Sequence, residues 1–230
     1  MPDIKDLQAV IGVTFTQVDL YETALTHRSY LNEKGRSQVE HNERMEFLGD
    51  AVLELVVTEY LYRNYQEPEG ILTNWRSALV KTESLSSVAE TLEIEQWLRL
   101  SRGERKGSRR ARRQILANTI EAIIGAIYLD QGYGPAQLFI TNNIISTLPK
   151  ILAEGSWQDS KTKYQELVQE REGHTPEYEV ISETGPDHDK RFTVGVYVDG
   201  QLRGQGDGTS KQIAQQEAAT AALAEVEVSE

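Results

Sequence analysis

The chain of 230 residues is 39% apolar, carries no cysteine and four histidines, and has a formal net charge of −12. That is apolar enough for one large or two small domains. It excludes disulfides and cysteine-ligated zinc, and the absence of an i,i+4 histidine pair disfavours a histidine-built metal site.

The N-terminal stretch MPDIKDLQAVIG has neither the basic nor the apolar region of a signal peptide, and no run of 18 apolar residues follows, so a cytoplasmic protein with no membrane partner is expected. Residues 1–150 read as helices, with breaks near 32–37, at EPEG (67–70), at SRGERKGS (101–108) and at DQGYGP (130–135), and with no strand before residue 155. The stretch HNERMEFLGD (41–50) poses a problem of charge. On one helix Glu43, Glu46, Asp50 and Glu54 fall within an arc of roughly 80°, with Met45, Leu48, Val52, Leu55 and Val56 on the opposite face. Like charges at i,i+4 destabilise by about 0.2–0.5 kcal/mol each, and Gly49 costs about 1 kcal/mol relative to Ala. No Lys or Arg lies on the stripe. A solvated outer face is the plain reading; the uncompensated repulsion favours a positive partner from outside the segment.

The segment RLSRGERKGSRRARRQ (99–114) concentrates basic residues in an acidic chain. Such a run is commonly a solvated loop. Beside a phosphodiesterase centre, Arg109, Arg110, Arg112 and Arg113 would serve as a phosphate clamp. The next helix, ILANTIEAIIGAIYLD (115–130), carries Asn118 and Glu121 on one face, opposite Leu116, Ile120, Ile123 and Ile127. A buried charge needs a partner. Either a core arginine pairs with Glu121, or this helix packs against 41–56 and Glu46, Asp50, Asn118 and Glu121 converge. Three carboxylates and an amide oxygen are hard ligands suited to Mg²⁺ or Mn²⁺, and such a centre can activate water against a phosphodiester.

After AEGSWQDS (153–160), a hinge composition, the texture changes. KTKYQELVQER (161–171) reads as a helix. EYEVISE (177–183), RFTVGVYVD (191–199) and QLRGQGDG (201–208) read as strands, with a hairpin turn at DGQ, and SKQIAQQEAATAALAEV (210–226) closes as an Ala-rich helix. The fold class is therefore α+β overall: an all-α domain over 1–152, a linker over 153–158, and a small α-β-β-β-α domain over 159–228. Residues 156–230 hold 7 basic and 15 acidic residues.

These segments carry a resemblance. ALTHRSY (24–30), HNERMEFLGDAVL (41–53), EGILTNWRSALV (69–80) and ILANTIEAIIGAIYLD (115–130), in that order and spacing, resemble the ribonuclease III endonuclease domain of the short bacterial type. SKTKYQELVQE, GPDHDKRF and GQGDGTSKQIAQQEAATAAL resemble the family's C-terminal double-stranded-RNA-binding domain, so the likeness spans nearly the whole chain. It implies a homodimeric endonuclease that hydrolyses double-stranded RNA to 5′-phosphate and 3′-hydroxyl ends in rRNA and mRNA processing and decay. The implied cofactor is Mg²⁺, with Mn²⁺ as a substitute. By the same resemblance Glu46, Asp50 and Glu121 are metal ligands, with Asp50 and Glu121 the pair indispensable for cleavage. Glu43 and Glu69 match secondary acidic positions at the edge of the catalytic valley, and Phe47 matches the aromatic that plugs into the partner subunit. In the C-terminal domain the resemblance brings Thr162, Gln165 and Glu166 to one minor groove and Pro186 and His188 to the next. Ser210, Lys211, Gln212 and Gln215 then meet the phosphates between.

The chain departs from the family in two places. The family pattern reads L-A-D where this chain has Leu116, Ala117 and Asn118. Asn keeps a carbonyl oxygen for a metal and removes a negative charge. That leaves open a weaker site, one tuned to another metal concentration, or a change made to trap an RNA complex. With Glu46, Asp50 and Glu121 present, an active enzyme is favoured over a non-catalytic double-stranded-RNA-binding protein of the same fold. A DNA phosphodiesterase is disfavoured because the C-terminal contacts use 2′-hydroxyls. The last helix opens with Lys211 followed by glutamines where the family places several lysines. The isolated C-terminal domain is therefore expected to bind weakly, with a shallow salt dependence.

Overall fold

A computed structural model describes residues 3–34, 40–155, 157, 159–186 and 190–228. His188, residues 35–37 of the predicted break at 32–37, and residues 156 and 158 of the predicted linker lie outside them. The chain divides into two compact units, Met1–Trp157 and Gln158–Glu230.

The first unit is helical: α1 (Ile4–Ile11), α2 (Val18–Ala24), α3 (Arg28–Lys34), α4 (Glu43–Asn64), α5 (Glu69–Val80), α6 (Thr82–Thr91), α7 (Arg102–Arg105), α8 (Arg109–Gln131), α9 (Tyr133–Asn143) and α10 (Leu148–Ala153). Strand-like pairing within its described residues is limited to an isolated bridge between Thr26 and Arg99. The predicted break at 101–108 contains α7, because the Ser101 hydroxyl accepts from the Glu104 amide at 3.2 Å and starts a turn. At 130–135 the break narrows to Gly132, whose φ of 82° ends α8 and begins α9. Trp157 meets Trp75 edge-on at 5.9 Å, so the helical unit runs past residue 152.

Helix α8 is the centre of this unit. The Ser108 hydroxyl caps its start by accepting from the Ala111 amide at 3.2 Å. Its middle, from Ile115 to Ile127, is buried except at Asn118 and Glu121, with α2, α4, α6 and α9 packed around it. Helix α4 lays Met45, Val52, Leu53, Val56 and Val57 into the same core. Two glycines set the approach. A methyl on Gly49 would stand 1.7 Å from the Glu121 carbonyl oxygen, and one on Gly125 would stand 2.4 Å from that of Met45. Gly49 lowers the intrinsic propensity of α4, as its sequence suggested, and it is also where the backbones of α4 and α8 meet.

The second unit comprises α11 (Ser160–Glu172), β1 (Glu177–Thr184), β2 (Arg191–Val198), β3 (Gln201–Gly208) and α12 (Lys211–Val228). The strands form one antiparallel sheet in the order β1-β2-β3. Tyr164 and Val168 of α11, Val194, Val196 and Val198 of β2, and Ala214, Ala218, Ala219 and Ala222 of α12 form its core. Asp199 and Gly200 both take positive φ, 49° and 72°, the conformation a two-residue hairpin turn demands. On β3, every second residue facing α12 is a glycine. A Cβ at Gly204, Gly206 or Gly208 would fall 2.5, 2.2 or 2.5 Å from α12 backbone atoms, so the alanine face of α12 lies directly on the strand. No helix among the described residues is long and apolar enough to cross a membrane.

Candidate metal centre and RNA interface

The acidic stripe of α4 divides into two classes. Its ends find arginines from other helices: Glu43 pairs with Arg28 at 3.3 Å, and Glu54 with Arg76 at 3.1 Å. Its middle does not. Among the described residues no Lys or Arg pairs with Glu46, Asp50 or Glu121, so the core arginine considered for Glu121 is not found. Burial pushes the Glu121 carboxyl up to about 8, with the charges of Asp50 and then Glu46 adding to the rise. Burial also raises Glu46; the Asn118 amide lies against it and favours the ionised form, while Glu43 and Asp50 oppose ionisation. Glu46 and Glu121 are thus poorly solvated, and the exposed Asp50 lies near enough for its charge to act on both. The glycine crossing brings them together. Gly49 sits between Glu46 and Asp50 on α4, and the atom it touches is the carbonyl of Glu121 itself.

Among the described residues no three His, Cys, Asp or Glu side chains close into a finished cage. Glu46 and Asp50 lie near enough for their charges to act on Glu121, but the three do not form a coordination shell. The donor set nevertheless fits a hard divalent cation, since it consists of carboxylate oxygens with no sulfur or imidazole among them. Asn118 stands beside Glu46, and its Oδ1 accepts from Gln114 Nε2 at 2.7 Å. Glu46 and Asn118 open onto a cleft of about 410 Å³ that also takes in Glu43, His27 and Arg28.

The other predicted residues fall elsewhere. Glu69 accepts from the Thr73 hydroxyl at 3.0 Å and lines a separate cavity of about 580 Å³ with Tyr62 and Arg76; within one chain it does not join the three acids. Arg109 and Arg110 are exposed in the first turn of α8, and Arg113 is half-buried. Arg112 is occupied: it pairs with Glu95 and donates to the Arg105 carbonyl at 3.2 Å, which anchors the loop instead of leaving it free as a clamp. Phe47 is 80% exposed and shares the outer side of α4 with Leu55 (57%) and Tyr62 (78%), so it is not core packing.

In the second unit the starts of α11 and α12 are laced together. Lys161 Nζ donates to Gln215 Oε1 at 2.8 Å, and Gln216 Nε2 donates to Asp159 Oδ1 at 3.1 Å. Asp159 caps α11 by accepting from the Thr162 amide at 2.9 Å, and its other oxygen accepts from the Thr162 hydroxyl at 2.9 Å. Gln165, Glu166, Pro186, Lys211 and Gln212 are exposed. The Ser210 hydroxyl accepts from the Ile213 amide at 3.3 Å and starts α12.

Sequence reasoning missed Arg28, Arg76 and Gln114. The two arginines left no local signal, because their partners are on another helix. Gln114 did leave one, an amide pair with Asn118 one helical turn apart.

Comparison with known proteins bears on the whole chain. A Ribonuclease-III-like family model matches residues 17–148, and a double-stranded RNA binding motif matches residues 160–226. A protein named Ribonuclease 3 from Streptococcus pneumoniae (strain Taiwan19F-14) is 44% identical over 228 residues, covering 96% of this chain and 97% of its own. The Ribonuclease 3 of Streptococcus gordonii (strain Challis) is 46% identical over 211 residues, covering 90% of each. The chain belongs to the ribonuclease III family. The solved nuclease domain of ribonuclease III from Campylobacter jejuni agrees, with a TM-score of 0.57 at 35% identity, covering 64% of this chain and 99% of its own. As a ribonuclease III the protein is an endoribonuclease, and its second unit is a double-stranded-RNA-binding module. The exposed Arg109 and Arg110 of this ribonuclease III open the same helix that carries Glu121.

Proposed function

We propose that the enzyme hydrolyses double-stranded RNA in a Mg²⁺-dependent reaction, with Mn²⁺ able to substitute, leaving 5′-phosphate and 3′-hydroxyl ends. It acts as a cytoplasmic homodimer in the processing and decay of rRNA and mRNA. The observation that carries this reading is the division of the acids. Glu43 and Glu54 have arginine partners, whereas Glu46, Asp50 and Glu121 lie near one another with no Lys or Arg partner among the described residues. Burial of Glu46 and Glu121 and the like charge of Asp50 resist ionising all three at once; a cation between them would remove that resistance. Glu46, Asp50 and Glu121 are the ligands, Asp50 and Glu121 the essential pair, and position 118 the fourth corner. A divalent ion held there supplies Lewis acidity at the phosphodiester and lowers the pKa of a bound water. The protein's own part is to hold Glu121 away from solvent and to tie back Glu43 with Arg28. Glu69 borders the valley.

The RNA is held by both units: the helical one as the endonuclease domain, which runs past the expected boundary at 152 to Trp157, and 159–228 as the RNA-binding domain. Arg109, Arg110 and Arg113 sit at the positive end of the α8 dipole, where cations are unfavourable by about 0.3–1 kcal/mol each; a phosphate beside them reverses the sign. Thr162, Gln165 and Glu166 meet one minor groove, Pro186 and His188 the next, and Ser210, Lys211, Gln212 and Gln215 the phosphates between. The exposed Phe47, Leu55 and Tyr62 support the homodimer, and the Campylobacter jejuni nuclease domain is described with a region involved in dimer formation.

The test is incubation of the full chain with an end-labelled RNA duplex, with and without Mg²⁺, beside Asp50→Asn. Cleavage should need the metal and vanish in the variant. No cutting at any Mg²⁺ or Mn²⁺ concentration, or equal cutting by Asp50→Asn, overturns the reading.

A further inference from the structure

We propose that His27 presents a fixed N–H donor to a ribose 2′-hydroxyl of the bound RNA, which makes it a specificity residue of the nuclease domain itself. The proposal rests on the reading that duplex RNA lies in the cleft beside Glu46. It starts from the tautomer of the ring. The backbone amide of Ser29 donates to His27 Nδ1 at 3.3 Å, so the imidazole caps the first turn of α3. A backbone N–H can only donate, so Nδ1 is an acceptor and carries no proton. The ring is therefore neutral, with its hydrogen on Nε2. The Ser29 hydroxyl lies 2.8 Å from the same nitrogen, and its oxygen accepts from the Ser101 amide at 3.2 Å.

The backbone around the ring is pinned from two sides. The His27 amide donates to the Arg99 carbonyl at 3.1 Å, and the Arg99 amide to the Leu25 carbonyl at 2.9 Å. At the start of α4 the Asn42 amide donates to the Thr26 carbonyl at 2.9 Å, and Asn42 Nδ2 to the Ala24 carbonyl at 3.2 Å. Among the described residues Nε2 has no protein acceptor, and it is not one of the unpartnered atoms sealed in the interior. His27 instead lines the cleft of about 410 Å³ that also takes in Glu46 and Asn118. The result is a preorganised donor at the cleft wall.

The charge of the cleft selects the acceptor. Glu43, Glu46 and Glu104 line it against the cation of Arg28, which is committed to Glu43 at 3.3 Å. Carboxylates repel a phosphate oxygen drawn to a neutral N–H among them. A hydroxyl meets no such opposition, because it accepts from the N–H and donates its own hydrogen to a carboxylate. On an RNA backbone that group is the 2′-hydroxyl, which DNA lacks.

The test uses the full chain and its His27→Leu variant with Mg²⁺ on an RNA duplex whose cut is mapped. Single 2′-deoxy nucleotides are placed one at a time on either side of the cut. For the parent, one such position should lower kcat/KM by about threefold to tenfold, the worth of one neutral hydrogen bond. His27→Leu should lower kcat/KM on the all-RNA duplex by a similar factor and lose its sensitivity at that position alone. A merely structural histidine would leave the two effects multiplicative at every position, and that result overturns the proposal. Complete loss of cutting by His27→Leu exceeds the worth of one hydrogen bond and overturns it too. A second measurement does not depend on the variant: long-range ¹H–¹⁵N spectra of the metal-free parent at neutral pH should show His27 with its proton on Nε2. A proton on Nδ1 overturns the proposal. Failure of the parent to cut the all-RNA duplex at any Mg²⁺ or Mn²⁺ concentration overturns the nuclease reading beneath it, a result distinct from multiplicative effects.

Discussion

Gly49→Ala sets two physical effects against each other. In an isolated helix Ala is more favourable than Gly by about 1 kcal/mol. Here the added Cβ stands 1.7 Å from the Glu121 carbonyl oxygen, 2.6 Å from its carbon and 2.9 Å from the Gly125 nitrogen. Non-bonded heavy atoms rest about 3.5–4 Å apart, and because all three neighbours are backbone, no rotamer relieves the overlap. Helices α4 and α8 must part by more than about 1 Å, loosening the core on both. Overpacking of this kind costs about 1–3 kcal/mol and occasionally more; with backbone as the obstacle the upper figure is expected. For a domain of this size each kcal/mol moves the thermal midpoint by about 2–4 °C. The midpoint should therefore fall by roughly 6–12 °C instead of rising slightly. Circular dichroism melts of the full chain measure this, with Gly70→Ala as control, since Gly70 is also helical and meets nothing within 4 Å. Because the obstructing atom belongs to Glu121, Mn²⁺ affinity should fall as well, on the order of tenfold or more. A Gly49→Ala protein that melts at or above the parent temperature would refute the crossing argument.

The Glu121 carboxyl, raised from 4.5 to about 8, makes metal-free stability depend on pH. Its ionisation opposes folding, so the contribution is fully favourable below about 4.5 and is lost as pH rises through about 8. Glu121→Gln should match the parent's thermal midpoint near pH 4.5 and exceed it increasingly up to pH 8, while abolishing cleavage; a gap constant across that range would contradict the assignment. Charge reversal at Arg109 and Arg110 together should raise KM for duplex RNA by about tenfold at moderate salt with little change in melting. Arg112→Ala should instead lower the melting temperature through its lost Glu95 pair, and identical behaviour of the two variants would deny the distinction. Phe47→Arg should convert the proposed homodimer to a 25.9 kDa monomer in sedimentation velocity; a dimer that persists at low micromolar concentration would exclude Phe47 from the interface.

The sequence alone determined the elements and the chemistry they carry. Acid and apolar periodicity over 43–56 put Glu46 and Asp50 on one helix face, and alternation with the Asp199–Gly200 turn set a hairpin whose last strand is observed at Gln201–Gly208. These features depend on neighbours a few residues away, which is the range over which helical period, pleat and turn conformation act. Tertiary structure alone decided which acids keep a protein cation, because Arg28 and Arg76 arrive from other helices. It also decided that Arg112 is taken up by Glu95, and it explained Gly49, a defect in its own helix, as the point of contact with the Glu121 backbone. The pairing of Gln114 with Asn118 lay within one helical turn, whereas the Thr82 hydroxyl that reaches Gln114 arrives from α6. Each of these outcomes turns on a distance between residues remote in sequence, and local periodicity holds no information about that distance.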